Sequence, residues 1–99
     1  MPQIVWLPEA LTDIERLRAF LQTKSPDAAA RAAKAILDGA GILQSRADIG
    51  RPMDDDTDRR EWFISFGSGA FVLRYRRDVL DRVVIIRVWH NREHRDPGR

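Results

Sequence analysis

Hydrophobic and polar positions recur along the chain with a strand rhythm, then a helical one, then a strand rhythm again. Gln3-Ile4-Val5-Trp6-Leu7 is short, β-branched and aromatic, which predicts a strand. Pro8 ends it and suits the first turn of a helix, with Glu9 and Asp13 toward the positive end of the helix dipole. Leu11, Ile14, Leu17 and Leu21 then recur at helical spacing, with Phe20 beside the stripe. Asp13, Glu15, Arg16 and Arg18 fall on the opposite, solvated face, partly as near-neighbour ion pairs. Ser25-Pro26-Asp27 restarts a helix: Ser caps, Pro takes the first position and Asp favours the dipole. The alanine-rich run from Ala28 to Leu37 has high helix propensity and permits close packing on the first helix. Gly39 and Gly41 weaken its end, so it is predicted to finish between Asp38 and Ser45. A connection of about three residues makes the pair an αα-hairpin.

Arg46 to Asp58 is a long polar connection holding Gly50, Pro52 and the acidic residues Asp54, Asp55, Asp56 and Asp58. Hard cations favour such carboxylates, but EF-hand spacing and its central Gly are missing, so a solvated loop without metal is expected. Alternation then predicts strands from Arg60 to Phe66, Phe71 to Arg77 and Arg82 to His90, with a turn at Gly67-Ser68-Gly69. The Gly turn lacks a P-loop lysine and a following helix, so it is not expected to cradle phosphate. If Asp78 to Asp81 is a four-residue loop, Arg77 pairs with Arg82. Val72, Arg74, Arg76, Val83, Ile85, Arg87 and Trp89 then share one face. Phe71, Leu73, Tyr75, Val84, Ile86, Val88 and His90 form the other face, which must meet the helices. The first face is an arginine strip, either solvated charge or a contact surface.

Length and charge narrow the function classes. Ninety-nine residues make one domain with a single core and little room for a private cavity. With no apolar run long enough to span a bilayer and no basic region at Met1-Pro2-Gln3, neither a membrane span nor a secretory signal is expected. The absence of Cys excludes disulfides, thiolate catalysis and Cys-ligated zinc, and suits a cytoplasmic protein. Residues 1–58 carry 7 basic and 10 acidic side chains, a net of −3, whereas residues 59–99 carry 10 and 5, a net of +5. The basic half suits an anionic partner, and the preference for Arg over Lys suits bidentate recognition, although a GC-rich genome also favours Arg.

The order β-α-α-β-β-β, the block RREWFISFGSGAFVLRYR and the closing RVWHNRE resemble the RelE/ParE superfamily of bacterial toxins, over about Ile4 to Arg95. The resemblance implies an α+β fold, a small antiparallel sheet packed on an N-terminal αα-hairpin. One toxin domain is expected over residues 1–95, with a frayed tail at 96–99. It implies the toxin of a type II toxin–antitoxin module, a plasmid-stabilisation protein in the widest sense. A cognate antitoxin would wrap it in a hetero-oligomer, and no cofactor is expected. ParE-like members inhibit DNA gyrase and replication, and RelE-like members cut mRNA on the ribosome. A third possibility is a member that binds its antitoxin but has no active target.

At positions where RelE-type ribonucleases carry two lysines and an arginine, this chain has Phe63, Ser65 and Val72, and nothing aromatic follows Trp89 where they place a tyrosine. RNA cleavage needs an acid–base group and cations for the phosphorane. That favours the ParE-like class, a gyrase inhibitor without catalytic residues. Another ribonuclease subset uses Glu, Arg and His; here Glu61, Arg74 and His90 would serve, with Arg92 clamping phosphate. The register puts His90 across the sheet from Arg74, which speaks against the trio unless a bulge intervenes. His90 is otherwise a partly buried structural histidine, and His94 a solvated one in the tail. Arg74, Arg76, Arg87, Trp89, Asn91 and Arg92 are the candidate contacts for a target or antitoxin. Trp89 suits either base stacking or a protein contact, and Trp62 the core.

Overall fold

The computed structural model describes residues 3–93. Strand β1 (Ile4–Trp6) leads into α1 (Pro8–Gln22) and α2 (Pro26–Ile42), followed by β2 (Arg51–Pro52), β3 (Arg60–Phe66), β4 (Gly69–Arg77) and β5 (Val83–His90). The strands form one sheet in the order β1-β5-β4-β3-β2. It is mixed rather than wholly antiparallel, because β1 runs parallel to β5, and β2 adds a short edge from the connection expected to be all loop. The frayed tail expected at 96–99 and the solvated His94 lie outside the described residues. Among the described residues, no helix is long and apolar enough to cross a membrane.

The helix signals act as expected. Pro8 and Pro26 start the helices, and the Ser25 side chain accepts the Ala28 N–H at 3.3 Å. The apolar stripe of α1 is rotated, however. Ala10, Ile14, Leu17 and Leu21 meet the core, and Leu11 is 53% exposed. Asp13 falls inside that stripe and is only 3% exposed, contrary to the expectation that it sits on the solvated face. Ala29, Ala32, Ile36 and Ala40 form the buried face of α2. Gly39 lets α2 approach β3 so closely that a Cβ would overlap the Ile64 side chain, and Trp62 Nε1 donates to the Gly39 carbonyl at 3.2 Å. Tyr75 anchors the 46–50 connection: its hydroxyl donates to Ala47 O at 2.7 Å and accepts Gly50 N–H at 2.9 Å. Burial pushes the Tyr75 pKa up, so the hydroxyl stays a neutral bridge.

The expected β4–β5 register is wrong in two places that cancel. The loop has five residues, Asp78 to Arg82, so Arg77 pairs with Val83 rather than Arg82. Val83 and Ile85, expected outside, are in the core, while Val84 pairs with Arg76 on the outer face. A bulge at Ile86 then restores parity: Tyr75 pairs with Ile85, but Arg74 with Arg87, Val72 with Trp89 and Phe71 with His90. Past the bulge, Arg87 and Trp89 are outside and Val88 and His90 inside, as expected.

Gly39 and Gly41 give opposite predictions. Gly41→Ala, with nothing within 4 Å of the new Cβ, should raise stability by up to about 1 kcal/mol, a Tm gain of roughly 4–8 °C. Gly39→Ala should lower it by about 1–3 kcal/mol, because β-branched Ile64 has little rotamer freedom to withdraw. Thermal and urea unfolding of the two variants would measure both signs.

Candidate functional site

The register aligns a charged row across the outer face of the sheet: Arg51, Glu61, Arg74 and Arg87, one from each of β2 to β5. Beside it runs an apolar row of Phe63, Val72 and Trp89. Arg74 and Arg87 face each other as like charges, which is costly unless each has its own counter-ion. Arg74 Nη2 donates to Glu61 Oε2 at 3.0 Å, and its guanidinium lies 4.8 Å from the Trp89 ring centroid. Arg51 reaches the other Glu61 oxygen at 3.7 Å. Arg87 Nε turns at the strand edge to donate to Asp13 Oδ2 on α1, at 2.8 Å.

Asp13 and Arg16 stand in for a missing strand. β1 pairs with β5 only as far as Ile85, and the bulge turns the backbone of Val88 toward α1. Val88 N–H donates to Asp13 Oδ2 at 2.9 Å, and Arg16 Nη2 donates to Val88 O at 3.3 Å. Side chains three apart on a helix thus satisfy both backbone groups of an edge residue. Arg16 also pairs with Glu93, whose other oxygen accepts His90 N–H at 2.8 Å. Burial by itself would raise the Asp13 pKa. The Arg87 hydrogen bond, the Val88 N–H, the Arg87 charge and the Arg16 hydrogen bond outweigh it and hold the carboxyl below its ordinary value.

His90 is on the helix-facing side, edge-on to Phe71 at 5.2 Å between ring centroids. Its Nδ1 accepts the Arg92 backbone N–H at 3.2 Å, so the ring proton belongs on Nε2, which donates to Phe66 O at 3.0 Å. Both nitrogens are therefore engaged in tying the end of β5 to the β3–β4 turn. Asn91 extends that tie: its N–H donates to Ala70 O and its side-chain oxygen accepts Ala70 N–H, each at 2.9 Å. Arg92 Nη2 donates to Ser68 O at 3.2 Å.

The candidate contacts therefore divide. Arg74, Arg76 and Arg87 share a face by register, but Arg74 is 4% exposed and the Arg87 side chain ends at a helix rather than away from it. Val72 and Trp89 are 2% and 9% exposed, so the outer face shows much less apolar surface than its pattern implies; Phe63, at 38%, is its open member. Arg76 is half-buried, and Asn91 and Arg92 are exposed. Glu61 and Arg74 lie together, but His90 is on the other side of the sheet. A stripe counted from Leu11 leaves Asp13 on the solvated face, whereas the stripe that meets the core, from Ala10 through Ile14, Leu17 and Leu21, encloses it. Among the described residues, no group of three or more His, Cys, Asp or Glu is placed to hold a metal ion.

The sequence model described as the ParE toxin of the type II toxin–antitoxin system parDE matches residues 4–95. Toxin RelE3 of Caulobacter vibrioides is 40% identical over 88 residues, covering 89% of this chain and 92% of that protein. Toxin RelE1 of the same organism is 35% identical over 86 residues, covering 87% and 89%. Among solved structures, one titled as the chromosomal ParDE TA system from P. aeruginosa superposes with a TM-score of 0.71 at 18% identity, covering 91% of this chain and 96% of that one. At that identity the likeness concerns the fold.

Asp13→Asn should destabilise the protein by about 3 kcal/mol at neutral pH, the low end for a broken buried pair because Arg87 keeps some solvent contact. Asp13 has a lowered folded-state pKa, so its contribution is complete above the ordinary carboxylate value of about 4 and is lost as pH falls through the folded one. Urea unfolding from pH 7 to pH 2 should show a steeper acid loss in wild type than in Asp13→Asn; parallel curves would contradict this role.

Proposed function

This chain belongs to the ParE toxin family of type II toxin–antitoxin systems, and from that premise we propose that it acts by binding, with DNA gyrase as its target, rather than by cutting RNA. A cognate antitoxin is implied by the family. The supporting observation is the separation of the only Glu–Arg–His set nominated for cleavage. Glu61 and Arg74 neutralise each other on the outer face, while His90 is held inside with both ring nitrogens bonded. A general base needs a free nitrogen within reach of the proton it takes. The positions where the ribonuclease class carries cations hold Phe63, Ser65 and Val72, and the first and last belong to an apolar row.

In this reading the contact residues are the accessible ones, Arg76, Asn91 and Arg92. Arg74, Arg87 and Trp89 act indirectly by holding the face in shape. The second reading, an mRNA endoribonuclease dependent on the ribosome, draws support from the names of the two Caulobacter relatives, RelE3 and RelE1.

Induction of the toxin without antitoxin separates the two. Gyrase inhibition should relax plasmid DNA, cause filamentation and leave messages intact; cut messages with unchanged supercoiling would establish the second reading instead. His90→Gln adds a sharper contrast. Loss of a general acid–base residue would lower activity about 10²–10⁴-fold. Loss of a structural clamp should cost about 1–2 kcal/mol of stability and leave growth arrest in place.

A further inference from the structure

The β4–β5 hairpin ends in an apolar tip that nothing in the fold covers: Val79 is fully exposed and Leu80 is 68% exposed. The turn carrying them is held by its own bonds. Backbone N–H groups of Asp78, Leu80, Asp81 and Arg82 all donate within it: to Arg82 O at 3.0 Å, Asp78 Oδ1 at 3.0 Å, Asp78 O at 2.9 Å and Asp78 Oδ1 at 2.9 Å. Arg82 Nε clasps the other Asp78 oxygen at 2.7 Å, and Arg77 pairs with Asp81. Asp81 adopts φ 62°, the left-handed conformation that closes the turn. The Asp side chains and two of the arginines are thus consumed in fixing the shape, and Val79 and Leu80 are left projecting.

At the base of the tip is a shallow cleft lined by Ala47, Asp58, Arg60, Tyr75, Arg76 and Arg77. Arg60 donates only to the Asp48 and Gly50 carbonyls, and Arg76 has no ion-pair partner among the described residues. The finger therefore combines a preformed apolar end with a base where arginine outnumbers the one carboxylate lining the cleft, Asp58, and where Arg76 carries no ion pair among the described residues. Preorganisation removes much of the ordering entropy of association. A projecting knob needs a concave site on a folded partner, whereas a segment that wraps the toxin needs a groove.

We propose that the Val79–Leu80 tip inserts into an apolar pocket, rimmed by carboxylates that meet Arg76, on the folded protein the toxin attacks. The proposal rests on the reading that the toxin acts by binding, and it assigns the contact to an element outside the charged row.

The test compares wild type with Val79→Ser/Leu80→Ser and with Arg76→Ala, using purified DNA gyrase, the purified antitoxin and growth after induction. The double variant should keep its fold, with a Tm within about 4 °C of wild type. It should bind the antitoxin as wild type does, and inhibit gyrase on the order of 100-fold less well. Arg76→Ala should slow association and reduce its salt dependence. Unchanged potency of the double variant would overturn the proposal, as would a loss confined to antitoxin binding. Potency that survives the double variant but collapses with salt would point to a polyanion and also overturn it. If wild type arrests growth by cutting mRNA, the gyrase reading fails separately. The tip is then judged by whether the double variant still arrests growth. A wild-type toxin that arrests nothing would overturn both.

Discussion

An unfinished strand edge governs this structure. β1 covers β5 only to Ile85, and beyond that point the Val88 N–H and C=O face away from β4 with no strand to receive them. Unsatisfied and buried, such groups cost about 1–3 kcal/mol each. Asp13 and Arg16 of α1 supply the acceptor and the donor, and the same carboxylate neutralises Arg87. A charged residue in the apolar stripe of α1 is thereby explained. The arrangement also sets how α1 lies along β5, and through Arg16 and Glu93 it draws the end of β5 onto the helix.

The charge row depends on that choice. Arg74 and Arg87 are direct cross-strand neighbours, tolerable because Glu61 takes one and Asp13 the other. Opposite charges alternate within two runs, from Arg51 through Glu61 to Arg74 and from Arg87 through Asp13 to Arg16 and Glu93, which meet at the like pair Arg74 and Arg87. Trp89 lies under the Arg74 guanidinium and is buried like its cross-strand neighbour Val72, so a face that reads as a basic, aromatic binding surface is largely occupied with itself. Buried ion pairs contribute less to net stability than to orientation. Here they orient α1 against the sheet.

The bulge at Ile86 links this architecture to the functional reading. It turns Val88 toward α1 and, given the five-residue loop, moves His90 to the side of the sheet opposite Glu61 and Arg74. His90 then meets Phe66 O and the Arg92 N–H rather than Glu61 and Arg74. One extra residue in the strand thus keeps His90 apart from the Glu61–Arg74 pair.

The sequence by itself determined the order of the elements apart from β2, both helix starts, the αα-hairpin and the helix-facing set Phe71, Leu73 and Tyr75. Those follow from local rules: proline geometry, a Ser cap and alternation along one strand. It also determined the family, since the β3–β5 motifs carry it, and the side of the sheet on which Arg74, Arg76, Arg87 and His90 lie. That last result was right for Arg87 and His90 only because a loop one residue longer than expected and a one-residue bulge offset each other. Only the tertiary structure decided where α1 faces the core, because Ala10 and Leu11 are nearly equal candidates until the β5 edge demands a carboxylate at Asp13. It decided too that Arg74, Arg87 and Trp89 are internal, since burial of a charge depends on counter-ions from other strands and from a helix 74 residues away in the chain. No local pattern of polarity encodes a partner that distant.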